Sequence, residues 1–112
     1  MIIQRLILRQ YNWAVTILYE CDCSDIPVIF DHLISIDCSP EFIEDVNSNL
    51  SKCKKNTGLS YSNYENRRTI IVINKHTSID ELINTTVHES YHFVRQLSRV
   101  CNIQDEEALA TI

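Results

Sequence analysis

Ile70 to Ile73 form an unbroken apolar run, IIVI. A strand with one wet face alternates apolar and polar residues, so four apolar residues in succession read as a strand covered on both faces. The rest of the chain must supply that cover. With 112 residues it fits one domain, 1–112, around one core. Upstream, WAVTILYEC from Trp13 to Cys21 alternates, with Trp13, Val15, Ile17 and Tyr19 on one face, and its β-branched and aromatic content predicts a strand. Ile3 to Leu8 begins the same strand or an earlier one.

Helical spacing takes over next. Ser24 or Asp25 caps a helix carrying Ile26, Ile29, Phe30, Leu33 and Ile34, with Pro27 in its first turn and its end near Asp37. Ser39-Pro40 starts a second helix, with Ile43, Val46, Leu50 and Cys53 on one side and an end around Lys55. The segment LSYSNYENRRTIIVIN reads as a hairpin: Leu59 to Tyr64, a turn through Glu65-Asn66, then Arg68 to Asn74. Ser78 to Glu81 fits a capping box and opens a long helix whose expected buried stripe is Ile83, Val87, Tyr91 (or Ser90), Val94, Leu97 and Cys101. Asn102 is placed as a left-handed residue after that helix, and Asp105 caps a short last one. The order gives an α+β fold, a small antiparallel or mixed sheet packed against helices.

Composition narrows the function. Net charge is −5 and the basic residues fall in short groups (Lys52, Lys54 and Lys55; Arg67 and Arg68), which argues against nucleic acid as a partner. Gly58 is the only glycine, too few for a phosphate-cradling loop. Arg5 and Arg9 interrupt the apolar N-terminus and no segment is long enough to span a bilayer, so the expectation is a cytoplasmic protein with no membrane partner. Five cysteines at irregular spacing then read as free thiols, and Cys21-Asp22-Cys23, one close pair with no second, as incidental rather than metal-binding.

The chemistry concentrates in TTVHESYHFV, Thr85 to Val94. On a helix His88 and His92 sit one turn apart on one side and can offer two imidazole nitrogens to one ion. Zn²⁺ accepts such ligands and, with a position left for water, lowers that water's pKa to about 7. Glu89 lies about 100° further round, placed to take a proton as general base. The bland alternative is two partly exposed histidines on an amphipathic helix. His32 and His76 have no partner at ligand spacing and read as ordinary. A third metal ligand is required, and Glu106 and Glu107 are both within reach of a chain that turns back after Cys101.

At these residues the sequence resembles the gluzincin branch of zinc metallopeptidases, in which His-Glu-x-x-His gives two ligands and the base and a following helix gives a glutamate ligand. That family often places the ligand three residues before a small residue, as in Glu107-Ala108-Leu109-Ala110, so the resemblance selects Glu107 over Glu106. More closely, Gly58 to Ile112 looks like a set of small phage- or mobile-element-associated proteins of minimal zincin type. The resemblance implies a minimal zincin-like fold, a metal site of His88, His92 and Glu107, Glu89 as catalytic base, and peptide or protein substrates. By the same analogy Arg68 to Asn74 is a sheet edge on which an extended peptide lies, and Tyr61, Tyr64, Arg95 and Arg99 are candidate oxyanion stabilisers. The chain departs from larger gluzincins in lacking the second domain that walls their cleft. The competing expectation is a non-catalytic interaction module on the same scaffold.

Overall fold

The structure, a computed structural model, describes residues 1–101. Four strands, β1 (Ile2–Leu8), β2 (Trp13–Cys21), β3 (Gly58–Asn63) and β4 (Arg68–Asn74), form one sheet in the order β1-β2-β4-β3. β1 and β2 are an antiparallel hairpin turned by a 3-10 segment at Arg9–Tyr11, closed by Asn12 in a left-handed conformation (φ 51°). β2 runs parallel to β4, and β3 antiparallel to β4, so the sheet is mixed. The helices are α1 (Ile26–Ser35), α2 (Pro40–Leu50) and α3 (Ile79–Cys101).

β4 explains its own sequence. Ile70 and Val72 point into a core with Leu18, Ile29, Leu33, Val46 and Leu50, beneath α1 and α2. Ile71 and Ile73 point the other way, into a core with Trp13, Val15, Phe93 and Leu97 beneath α3. Both faces are dry, as the apolar run requires. Its flanking by β2 and β3 also overturns the expectation that Arg68 to Asn74 is a sheet edge: the edge beside α3 is β3. A strand buried on both faces gains most in the sheet's interior, where its amides and carbonyls are paired as well.

The helices begin where their caps predict. Ser39 Oγ accepts a hydrogen bond from Phe42 N–H (3.3 Å), with Pro40 in the first turn. Ser78 Oγ accepts from Glu81 N–H (3.2 Å). α2 stops at Leu50 rather than Lys55, because Cys53 takes a left-handed turn (φ 55°) and is bonded to Cys23. That disulfide, Cα–Cα 5.0 Å, corrects the expectation of five free thiols; Cys21, Cys38 and Cys101 remain free.

The buried stripe of α3 also differs from expectation. Leu97 is buried as expected, but the other buried positions are Glu89 and Phe93, while Ile83, Val87 and Tyr91 are exposed. The helix carries two apolar stripes, and the one with Phe93 and Leu97 fits between Trp13 and Ile71. Phe93 meets the Trp13 ring edge-on at 6.2 Å. The competing stripe is left on the outside.

Candidate functional site

The site sits where α3 crosses the start of β3. Strand alternation sends Gly58, Ser60 and Ser62 toward α3 and Leu59, Tyr61 and Asn63 toward α1 and α2, so β3 shows the helix only small side chains. At Gly58 the approach is closest: a Cβ there would lie 2.7 Å from the Val72 carbonyl oxygen, 3.0 Å from Thr85 Cγ2 and 3.1 Å from Glu89 Cγ. The chain's single glycine is what lets Glu89 press against the sheet edge.

Further along, a buried hydrogen-bond chain fixes the rotation of α3. Trp13 Nε1–H donates to Thr69 Oγ1 (2.8 Å), Thr69 and Ser62 hydroxyls are 2.7 Å apart, and Ser62 Oγ donates to Gln96 Oε1 (2.7 Å). Because Ser62 spends its proton on Gln96, Thr69 donates to Ser62, and every member is satisfied. The N-terminal end is held by Asn56. Its Oδ1 accepts from Thr77 N–H (2.9 Å), and its carbonyl accepts from Thr85 Oγ1 (3.3 Å).

This rotation places the motif residues. Glu89 is 5% exposed, and among the described residues its carboxylate makes no hydrogen bond or ion pair. His88 and His92 are exposed on the adjoining flank, with their Nε2 atoms 3.0 Å apart and their rings at 87°. Two nitrogens bound to one tetrahedral zinc at 2.0–2.1 Å would be about 3.3 Å apart. The spacing of the two Nε2 atoms is within a few tenths of an ångström of that value. Among the described residues no group of three or more His, Cys, Asp or Glu side chains is placed to hold a metal, and Glu106 and Glu107 lie outside them, as do Asn102 and the expected last helix.

An open groove of about 440 Å³ runs past His88 and Glu89, walled by Asn56, Thr57 and Gly58 on one side and by Glu81, Asn84 and Thr85 of α3 on the other. On the opposite face of the same strand edge, a pocket of about 300 Å³ has an apolar floor of Phe42, Val46, Leu50 and Leu59, and it shares Thr57 and Gly58 with the groove. Sequence reasoning missed Asn56, Thr57, Asn84 and Thr85. The signal that points to them is the lone glycine. Glu81 lines this groove in place of closing the expected capping box.

Other expectations fare differently. Tyr61 packs against Phe42 with the rings tilted (centroids 4.6 Å apart) on the far face of the sheet, so alternation removes it as an oxyanion stabiliser. Tyr64 sits beside Trp13 (6.4 Å), at the end of β3 away from Gly58. Arg95 and Arg99 are exposed, on the histidine side of α3. Cys23 is bonded to Cys53 rather than paired with Cys21, which is a free, buried thiol. Burial, then the nearby Asp25 carboxylate, pushes the Cys21 thiol up to about 11. Asp22 is held well below the usual carboxylate range by the Ser24 hydroxyl and then by Lys75, whose Nζ is 2.9 Å away.

No protein family, curated protein or solved structure matches this chain. The site must be read from its own geometry.

Proposed function

We propose that the chain is a zinc-dependent metallopeptidase of minimal zincin-like fold, with His88, His92 and Glu107 as metal ligands and Glu89 as general base. The observation that carries this reading is the juxtaposition at the groove: Glu89, its stem pressed against Gly58, lines it together with His88, whose Nε2 lies 3.0 Å from that of His92. When bound there, Zn²⁺ supplies Lewis acidity toward a substrate carbonyl and its attacking water. Glu89 accepts the proton that water loses and passes it to the leaving amine. Gly58 and the Asn56 hydrogen bonds hold Glu89 in place while the groove admits the peptide. With β4 interior, the strand offered to an extended peptide is β3, and alternate side chains of an added strand would enter the groove and the pocket on the other face.

A second reading, a non-catalytic interaction module of phage or mobile-element origin, is favoured by the openness of the groove. Hydrolysis of a peptide library by the zinc-loaded chain, lost in Glu89→Gln with zinc retained, supports the enzyme; zinc retained with no cleavage by the unaltered chain supports the module. No described helix is long and apolar enough to cross a membrane. Cytoplasmic residence belongs to the proposal. It implies that glutathione keeps the Cys23 and Cys53 thiols reduced in the cell, which alkylation of freshly lysed cells, followed by mass analysis, reads directly.

A further inference from the structure

Across the sheet from the histidines, the pocket of about 300 Å³ between α2 and the start of β3 has a floor of Phe42, Val46, Leu50 and Leu59. That volume falls at the small end of small-ligand sites and admits one aromatic ring system. The polar groups around the floor narrow the chemistry.

Asn74 is the first of them. It lines the pocket while only 8% exposed. Its side-chain nitrogen donates to Thr57 Oγ1 (2.8 Å), and that hydroxyl has its own proton on the Lys54 carbonyl (3.3 Å), so the amide orientation is fixed. Asn74 Oδ1 is left as an acceptor, and among the described residues no donor takes it. A ligand that reaches it needs an N–H or O–H on an otherwise apolar body, the combination that indole and phenol offer.

Lys52 and Lys54 set the charge. Both line the pocket from the loop after α2 and both are exposed, against one carboxylate, Asp45, on the helix side. In a chain of net charge −5 this is a local excess of positive charge, and it suits an anion at the mouth.

We propose that this pocket binds an indolyl or hydroxyphenyl carboxylate, with the ring on the apolar floor, the ring N–H or O–H donating to Asn74 Oδ1, and the carboxylate toward Lys52 and Lys54. The same chemistry comes from a free aromatic acid or from a tryptophan or tyrosine at the end of a peptide. For the second source a strand edge is at hand: Asn74 N–H bonds to the Thr57 carbonyl, so alternation turns the main-chain groups of Gly58 and Ser60 off the edge. The site needs no metal and does not rest on the histidines.

The test is a nuclear magnetic resonance titration of the full, chelator-treated chain with N-acetyltryptophan. Saturable shifts of the Val46 and Leu59 methyls and of the Asn74 side-chain amide are expected. N-acetyltryptophanamide, which lacks the charge, should bind roughly three- to tenfold more weakly. N-acetylphenylalanine, which lacks the ring donor, should bind about tenfold more weakly. Replacing both lysines, Lys52→Gln with Lys54→Gln, should erase the preference for the acid over the amide and leave the folded spectrum intact. The proposal is overturned if no resonance saturates at millimolar acid, if the three compounds bind alike, if the doubly substituted chain keeps its preference, or if the shifts gather at Thr85 and His88 instead. An alanine peptide ending in tryptophan separates the two sources. Tighter binding, with added shifts at Gly58 and Ser60, assigns the site to a chain end; binding no tighter than that of N-acetyltryptophan assigns it to the free acid.

Discussion

Gly58 and Glu89 are one feature seen from two sides. The glycine was legible in the sequence only as a reason to exclude phosphate loops; its position under Thr85 and Glu89 depends on a strand–helix contact that local pattern does not encode. Gly58→Ala forces a methyl into space already held by the Val72 carbonyl and the Glu89 stem, and overpacking of this kind costs about 1–3 kcal/mol. Urea denaturation should show that loss, whereas Ser60→Ala should change stability far less. Cys21 gives a second prediction at this scale. Its thiol is neutral up to about pH 11 in the folded chain but ionises near 9 when unfolded, so the unfolded state loses its proton first. Stability is therefore fully present below pH 9 and falls as pH rises from 9 to 11; Cys21→Ala should flatten that part of a stability-against-pH curve.

At the scale of elements, the strands and helix starts were legible because alternation and capping are local. The Trp13, Val15, Ile17, Tyr19 face and the two-faced burial of Ile70 to Ile73 follow from the pleat alone. The buried face of α3 was not legible, because Ile79-Ile83-Val87-Tyr91 and Phe93-Leu97 are both credible stripes and the sheet chooses between them. Phe93 and Leu97 win by filling the space between Trp13 and Ile71, while the bond of Gln96 to Ser62 locks the rotation. Leu97→Ala should accordingly cost about 2–5 kcal/mol in thermal or urea unfolding. Ile79→Ala, on the outer stripe, should stay within about 0.5 kcal/mol. Equal losses at the two positions would mean that the helix is rotated from the orientation described.

For the whole molecule, the α+β class and the mixed sheet agree with the element order, but the strand order does not follow from it. Parallel pairing of β2 with β4 places β4 inside and β3 at the edge, and only that order opens an edge beside the histidines. The Cys23–Cys53 bond was likewise invisible from spacing, since it joins residues 30 apart across two elements. Closing a loop of that length stabilises the oxidised chain by about 3–4 kcal/mol through the unfolded state. Cys53→Ser should lose that amount under oxidising conditions and little with reductant present. The central claim concerns Zn²⁺. Calorimetric titration of zinc into chelator-treated protein tests it most directly, with His88→Ala, His92→Ala and Glu107→Gln in parallel. One site per chain is predicted, abolished or greatly weakened by each of the three replacements. Absence of binding, or binding indifferent to loss of both imidazoles, would contradict the account.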